Sequence, residues 1–319
     1  MESAGKILAK SPRLKRQVKA AAPLTRSQEK LIDAATVIRM NPGDTEAAFM
    51  ARELVQCTLP HSNPGNIAQW TRRNGNVTLG IVPGRDFEKN CSIGYPYGVI
   101  PRLLLFWITT EAVRSKNRRL ELGHNLSEFM REVGLDPNTG GGKRGDAYRL
   151  RDQMRRLFKA TISFQQTMEE PHRHGERWLD MQIAPVAELW WDPKQPEQGA
   201  LWGSWIELGE KFFQAITAGP VPVDMRVLRA IKRSPLALDL YAWATWRVFR
   251  LSKPAFIPWE GLKGQMGSEY SDIDNFVRYA KTAIRKIRAV YPALKLDFAK
   301  GGFLLHPSLT AIAPAPKRA

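Results

Sequence analysis

The chain has 319 residues, 43% of them apolar and 10 of them Trp, enough to bury a sizeable core and, by length, an expectation of two domains. Its 48 Lys and Arg against 31 Asp and Glu leave a formal charge of +17, which favours a polyanionic partner, nucleic acid first, over a small neutral substrate. The longest apolar run, Leu103 to Ile108, is far below the ~20 residues of a spanning helix, and no apolar stretch with a cleavage site follows the basic start, so neither a membrane segment nor a secretory signal is read and a cytoplasmic location is expected.

Residues 1–30 carry Lys6, Lys10, Arg13, Lys15, Arg16, Lys19, Arg26 and Lys30 against Glu2 and Glu29, and read as a mobile basic arm. Such an arm either adds non-specific phosphate contacts or is a solvated tail, and the sequence leaves both open. Residues 31–60 have helical composition around Leu31, Ile32, Ala35, Val37, Phe49, Leu54 and Val55, broken at Asn41, Pro42 and Gly43. Residues 60–94, rich in Pro, Gly and Asn, predict loops with one short strand near Val77 to Val82. Cys57 and Cys91 have no second pair and no nearby His at zinc spacing, so both are expected as reduced thiols and no metal or other cofactor is implied.

An internal repeat then follows, residues 101–165 recurring as residues 234–298 at an offset of 133. Leu103, Leu105 and Trp107 fall on Leu236, Leu238 and Leu240, inside helices apolar enough to be largely buried. Leu126, Phe129, Val133 and Gly134 fall on Trp259, Leu262, Met266 and Gly267, a short helix ending in glycine. Asn125 with Glu128 predicts a capped start for the first copy, and Pro258 at the first helical position does so for the second.

A third helix follows in each copy. In residues 146–160 Ala147, Leu150, Met154 and Leu157 form the apolar stripe, while Tyr148, Arg149, Arg151, Arg155 and Arg156 occupy the other faces, just after Lys143 and Arg144. In the second copy Ser271 is the expected N-cap, with Asp274 three residues on. There Phe276, Ala280, Ile284 and Ile287 form the stripe, and Asn275, Arg278, Lys281, Thr282, Arg285 and Arg288 face outward. After each, the period changes to two: Thr161 to Met168 leads to Trp178 to Val186, and Leu294 to Ala299 leads through Lys300 to Phe303 to Pro307. These are expected hairpins. The chain closes on a short tail, residues 313–319, expected to be disordered.

Helix, short helix, basic third helix and hairpin, in that order, is the winged variant of helix-turn-helix, in which the third helix enters the major groove. The fold expected is therefore α+β, two tandem winged-helix domains at 93–218 and 219–312 behind a basic, partly disordered extension over 1–92. The candidate DNA contacts are Lys143, Arg144, Tyr148, Arg149, Arg151, Arg155 and Arg156 in the first unit. In the second they are Asn275, Arg278, Lys281, Thr282, Arg285, Arg288 and the hairpin-tip Lys300. The geometry of base recognition lets Arg and Lys read guanine edges or hold phosphates, and lets Asn pair with adenine.

The run from Gly94 to Leu105 (GYPYGVIPRLLL), Thr109 to Arg114 (TTEAVR) and Leu126 to Met130 (LSEFM) resembles the plasmid-encoded RepA family of replication initiators. So do Arg149 to Phe158 (RLRDQMRRLF), Ser234 to Tyr241 (SPLALDLY) and Trp259 to Gln265 (WEGLKGQ), over about two thirds of the chain in all. The resemblance implies binding of repeated double-stranded DNA sites in a plasmid origin, opening of adjacent duplex, and recruitment of host replication initiator and helicase-loading proteins. It also implies that a homodimer form represses the protein's own gene while monomers act at the origin.

Two enzyme patterns are set aside. Gly140 to Arg144 is not a phosphate loop, because Arg144 replaces the Ser or Thr and Pro137 stands where the first Gly belongs. His172 and His174 suggest the paired histidines of an origin-nicking enzyme, but Glu169, Glu170, Pro171 and Gly175 around them read as a hairpin turn. The expectation is a DNA-binding protein without catalytic residues, with a transcriptional regulator as the alternative. Trp202, Trp205 and Ile206 are candidates for dimer contacts.

Overall fold

The computed structural model describes residues 23–123, 125–139, 145–190, 203–267 and 269–313. Residues 1–22 of the basic arm, Lys143 and Arg144 with the glycines before them, Trp202, and the tail after Ala313 lie outside the described residues. The N-terminal part comprises α1 (Arg26–Met40), β1 (Ala47–Met50), α2 (Arg52–Gln56), β2 (Trp70–Asn74), β3 (Val77–Val82), β4 (Arg85–Asp86) and β5 (Cys91–Ser92). The first copy of the repeat comprises α3 (Val99–Ser115), β6 (Arg119–Glu121), α4 (Leu126–Glu132), α5 (Asp146–Lys159), β7 (Thr161–Glu170) and β8 (Arg173–Gln182). Then come β9 (Val186–Glu188), β10 (Trp205–Glu207), α6 (Glu210–Ala218), β11 (Val221–Asp224) and α7 (Met225–Ile231). The second copy comprises α8 (Pro235–Phe249), β12 (Ala255–Pro258), α9 (Trp259–Met266), α10 (Ile273–Val290), β13 (Leu296–Ala299) and β14 (Gly302–Leu305). The fold is mixed α and β, and among the described residues no helix is long and apolar enough to cross a membrane.

The N-terminal part is more structured than its composition predicts. Arg26 and Lys30 belong to α1 and not to an arm, because Thr25 and Gln28 close a reciprocal capping box and Ala35 and Ile38 are buried on a helix packed against α10 and α7. Residues 47–50 are a strand where helix was expected. They pair antiparallel with β11, from Ala47 opposite Asp224 to Met50 opposite Val221, a partner that no local pattern reveals. The predicted strand at Val77–Val82 is present, joined by the largely polar β2.

The helical repeat is observed in both copies. All four stripe residues of α5 and all four of α10 are buried, and Trp107 meets Phe129 edge to face at 4.9 Å where α3 crosses α4. Asn125 caps α4 as expected, its Oδ1 accepting the Glu128 N–H at 2.8 Å. Two boundaries shift by one residue. Pro258 is the N-cap of α9 and not its first residue, and Asp272 replaces Ser271 as the cap of α10 because its carboxylate accepts the Asn275 N–H at 2.6 Å.

The terminal glycines differ in their reason. Gly134 has φ +81, the left-handed conformation that ends many helices, whereas Gly267 has φ −133 and is needed for space. A Cβ there would stand 2.3 Å from the Phe276 ring, so Gly267→Ala is expected to lower stability by about 1–3 kcal/mol, the typical cost of overpacking, as read by urea unfolding. A loss below about half a kcal/mol would show that α9 and α10 can separate freely.

The sheets distinguish the two copies. In the second, β12, β14 and β13 form one three-stranded sheet in that order. In the first, β6 pairs instead with β10, which pairs with β9, and the hairpin β7–β8 joins β3 and β2 in a four-stranded sheet. That pairing lengthens the hairpin: its second strand starts at Arg173 and not at Trp178, the turn is at Pro171 and His172, and Gly175 lies within β8 opposite Met168. One contiguous set of buried apolar side chains runs from Ala35 to Leu305.

Candidate nucleic-acid interface

α10 buries one side on the core and turns a basic side to solvent, as its 18-residue amphipathic pattern requires. Arg278, Thr282, Arg285 and Arg288 are exposed on it. Arg285 and Arg288 have no ion-pair partner among the described residues, nor does the exposed Lys286, a cation the sequence reading passed over although it adjoins Arg285. Lys300 stands exposed at the turn between β13 and β14, where Gly301 has φ +77.

Four of the α10 candidates, Asn275, Arg278, Lys281 and Thr282, make local contacts. The Asn275 amide donates to Asp272 Oδ2 at 2.6 Å and accepts from Arg278 at 2.8 Å, so pairing with an adenine edge requires both bonds to open. Lys281 is half-buried, its Nζ 5.9 Å from the Trp259 ring centre and 5.7 Å from that of Phe298. It buttresses the hairpin against α9. Thr282 donates its hydroxyl to the Arg278 carbonyl at 2.9 Å.

On α5 the same sequence pattern has a different outcome. Tyr148 and Arg149 are exposed, Arg149 pairing with Asp146 at 3.2 Å. Arg155 pairs with Asp86 at 3.2 Å, and the Asp86 carboxyl is held below its ordinary pKa by the Lys89 N–H first and by Arg155 in addition. Arg156 is held more firmly. Its side chain is 17% exposed, ion-paired with Asp152 at 2.8 Å, directed at the Tyr95 carbonyl and set over the Tyr97 ring at 5.5 Å. Arg151 is half-buried.

Behind these faces lies a buried ionic cluster that the sequence reading did not single out. The Arg102 guanidinium on α3 donates to both carboxylate oxygens of Asp239 on α8, at 2.7 and 2.8 Å, and to the carbonyls of Leu59, Pro60 and Gly98. His61 Nε2 lies 2.8 Å from Asp239, the His61 N–H donates to Glu269 at 3.1 Å, and Arg72 pairs with Glu269 and Thr58. Burial lowers the His61 pKa, so the ring is neutral and donates to Asp239, whose own pKa falls well below the carboxylate range: burial opposes ionisation there, and Arg102 outweighs it. The available signal was a lone charge in each of two apolar runs, Arg102 in PRLLL and Asp239 in LALDLY.

Other singled-out residues are placed elsewhere. Ile206 is fully buried and presents no free apolar surface for a dimer contact, and the half-buried Trp205 carries the Arg119 guanidinium 3.9 Å over its ring. His172 is at the β7–β8 turn and His174 is opposite Glu169. Among the described residues no group of three or more His, Cys, Asp or Glu could hold a metal ion. Both cysteines are free, and burial pushes the Cys57 thiol up to about 11.

The sequence model of a family described as plasmid-encoded RepA protein matches residues 95–259, from before α3 to the first residue of α9. Two crystal structures of domains 2 and 3 of RctB, one of them of selenomethionine derivatives, align with the chain at 13% identity and a TM-score of 0.45. They cover 78% and 79% of this chain and 95% and 93% of theirs. No curated protein matches.

Proposed function

Because the chain belongs to the plasmid-encoded RepA family, we propose that it initiates plasmid replication by binding repeated double-stranded sites at the plasmid origin. In this reading residues 93–218 and 219–312 are two winged-helix units, residues 1–92 are a basic N-terminal extension, and host replication initiator and helicase-loading proteins are recruited to the bound complex. The observation that carries the reading is the solvent face of α10, where Arg278, Thr282, Arg285 and Arg288 align beside a hairpin tipped by Lys300. That face lies beyond the segment matched by the family, so it supports DNA binding independently. An amphipathic helix with one basic face next to a hairpin with an exposed basic turn suits insertion into the major groove with backbone contacts alongside.

The test is a footprint of the purified protein on the DNA flanking its own gene, at physiological salt and with excess competitor, since so basic a chain binds any DNA weakly. A ladder of protected direct repeats is the expected result. A single protected inverted repeat would identify a regulator or autorepressor without an origin role, and no specific protection would overturn the reading.

A further inference from the structure

A cleft of about 560 Å³ opens between α1, the start of α3, the start of α5 and α7. Its floor is apolar, from Val99, Ile100, Leu103 and Leu135, but among the described residues its walls carry Lys30, Arg149, Arg226, Arg229, Lys232 and Arg233 against Asp136 and Asp146. Three of the arginines are already neutralised: Arg149 by Asp146, Arg226 by Asp224 and Arg229 by Glu46. Lys30 and Arg233 have no ion-pair partner among the described residues. Lys232 is half-buried, its ammonium donating to the Gly134 carbonyl at 2.6 Å, and desolvation lowers its pKa. An anion entering here would meet the exposed charges of Lys30 and Arg233 beside the half-buried ammonium of Lys232.

We propose that this cleft is a phosphate-binding seat for the DNA backbone, continuing the interface from α10 to α5. The proposal rests on the DNA-binding reading above. Two observations favour duplex backbone over a free nucleotide. Among the described residues no aromatic side chain lines the cleft, so none of them offers a base a stacking surface, whereas cations for phosphate are abundant. Position is the other. Arg149 belongs both to the cleft and to the solvent face of α5, and α1 and α7, which form the opposite wall, pack directly on α10. The cleft is thus joined to α10 through α1 and α7 and to the solvent face of α5 through Arg149.

The double variant Lys30→Ala/Arg233→Ala tests this, because both side chains are exposed and neither has an ion-pair partner among the described residues. Its affinity for a labelled random-sequence duplex is measured over a salt series beside the wild type, with unfolding curves as a control for folding. The slope of log affinity against log salt is expected to become shallower by about 1.8, since each phosphate that the protein ceases to neutralise removes about 0.9, and the same change should appear on repeat-bearing DNA. An unchanged slope, with the wild type binding normally, would overturn the proposal and leave the α10 reading intact. A changed ATP titration beside an unchanged duplex slope would make the cleft a small-anion site and overturn it equally. Failure of the wild type to bind any duplex would overturn the DNA-binding reading itself.

Discussion

Arg102→Ala is expected to lower the free energy of unfolding by about 3–5 kcal/mol, the range for removing one partner of a buried ion pair. Arg102 is 2% exposed and Asp239 7%, so the truncation leaves a buried carboxylate facing a neutral His61 and removes one donor from the carbonyls of Gly98, Leu59 and Pro60, of which Leu59 keeps the Arg72 guanidinium and Pro60 the Gly98 N–H. Urea unfolding at neutral pH reads the loss. Arg102→Met with Asp239→Leu should recover most of it, because an apolar pair of similar volume removes both the charge and its desolvation cost. A single variant costing less than about 1 kcal/mol would show that water reaches the site.

The same cluster sets a pH dependence whose sign follows from its pKa shifts. The His61 pKa is lower folded than unfolded, so below about pH 6.5 the unfolded chain takes up a proton that the folded chain refuses, and stability falls with pH. The Asp239 pKa is also depressed, so its contribution is complete above about pH 4 and is lost as pH falls through its folded value. The wild type is therefore less stable at about pH 5 than at about pH 7, and His61→Gln should flatten that interval while leaving the more acidic loss.

The second large effect is on binding. Arg285→Ala is expected to weaken the specific site by about 1–3 kcal/mol if the guanidinium reads a base edge, with relaxed preference at one position of the site. If it holds a phosphate instead, binding to all DNA weakens alike and the salt slope falls by about one. Arg156→Ala serves as the contrast. Its guanidinium is committed to Asp152, Tyr95 and Tyr97, so this change should lower stability more than it lowers DNA affinity. Equal affinities for the wild type and Arg285→Ala on both specific and random DNA would remove α10 from the interface.

These contrasts mark how far the residue pattern reaches. The buried stripes of α5 and α10, the Asn125 cap, the strand at Val77–Val82 and the hairpin carrying Lys300 all follow from short-range spacing, because 3.6-residue and two-residue periods and capping bonds are made within a few residues. The sequence by itself thus determined a repeated order of helices and hairpins, a large basic surplus, and which side of each third helix faces the core. It could decide only in part which arginines stay open: Asp152 stands four residues before Arg156 where Lys281 stands before Arg285, a local sign of an ion pair, but nothing local shows the segment at Tyr95–Tyr97 packing onto Arg156. Nor could it decide that β7–β8 joins β3, that β1 joins β11, that Arg102 finds Asp239, or that α1 and α7 meet across a basic cleft. Each of these joins residues far apart along the chain, 137 positions in the case of Arg102 and Asp239, and such partners are selected by the packing of the whole fold and not by any local period.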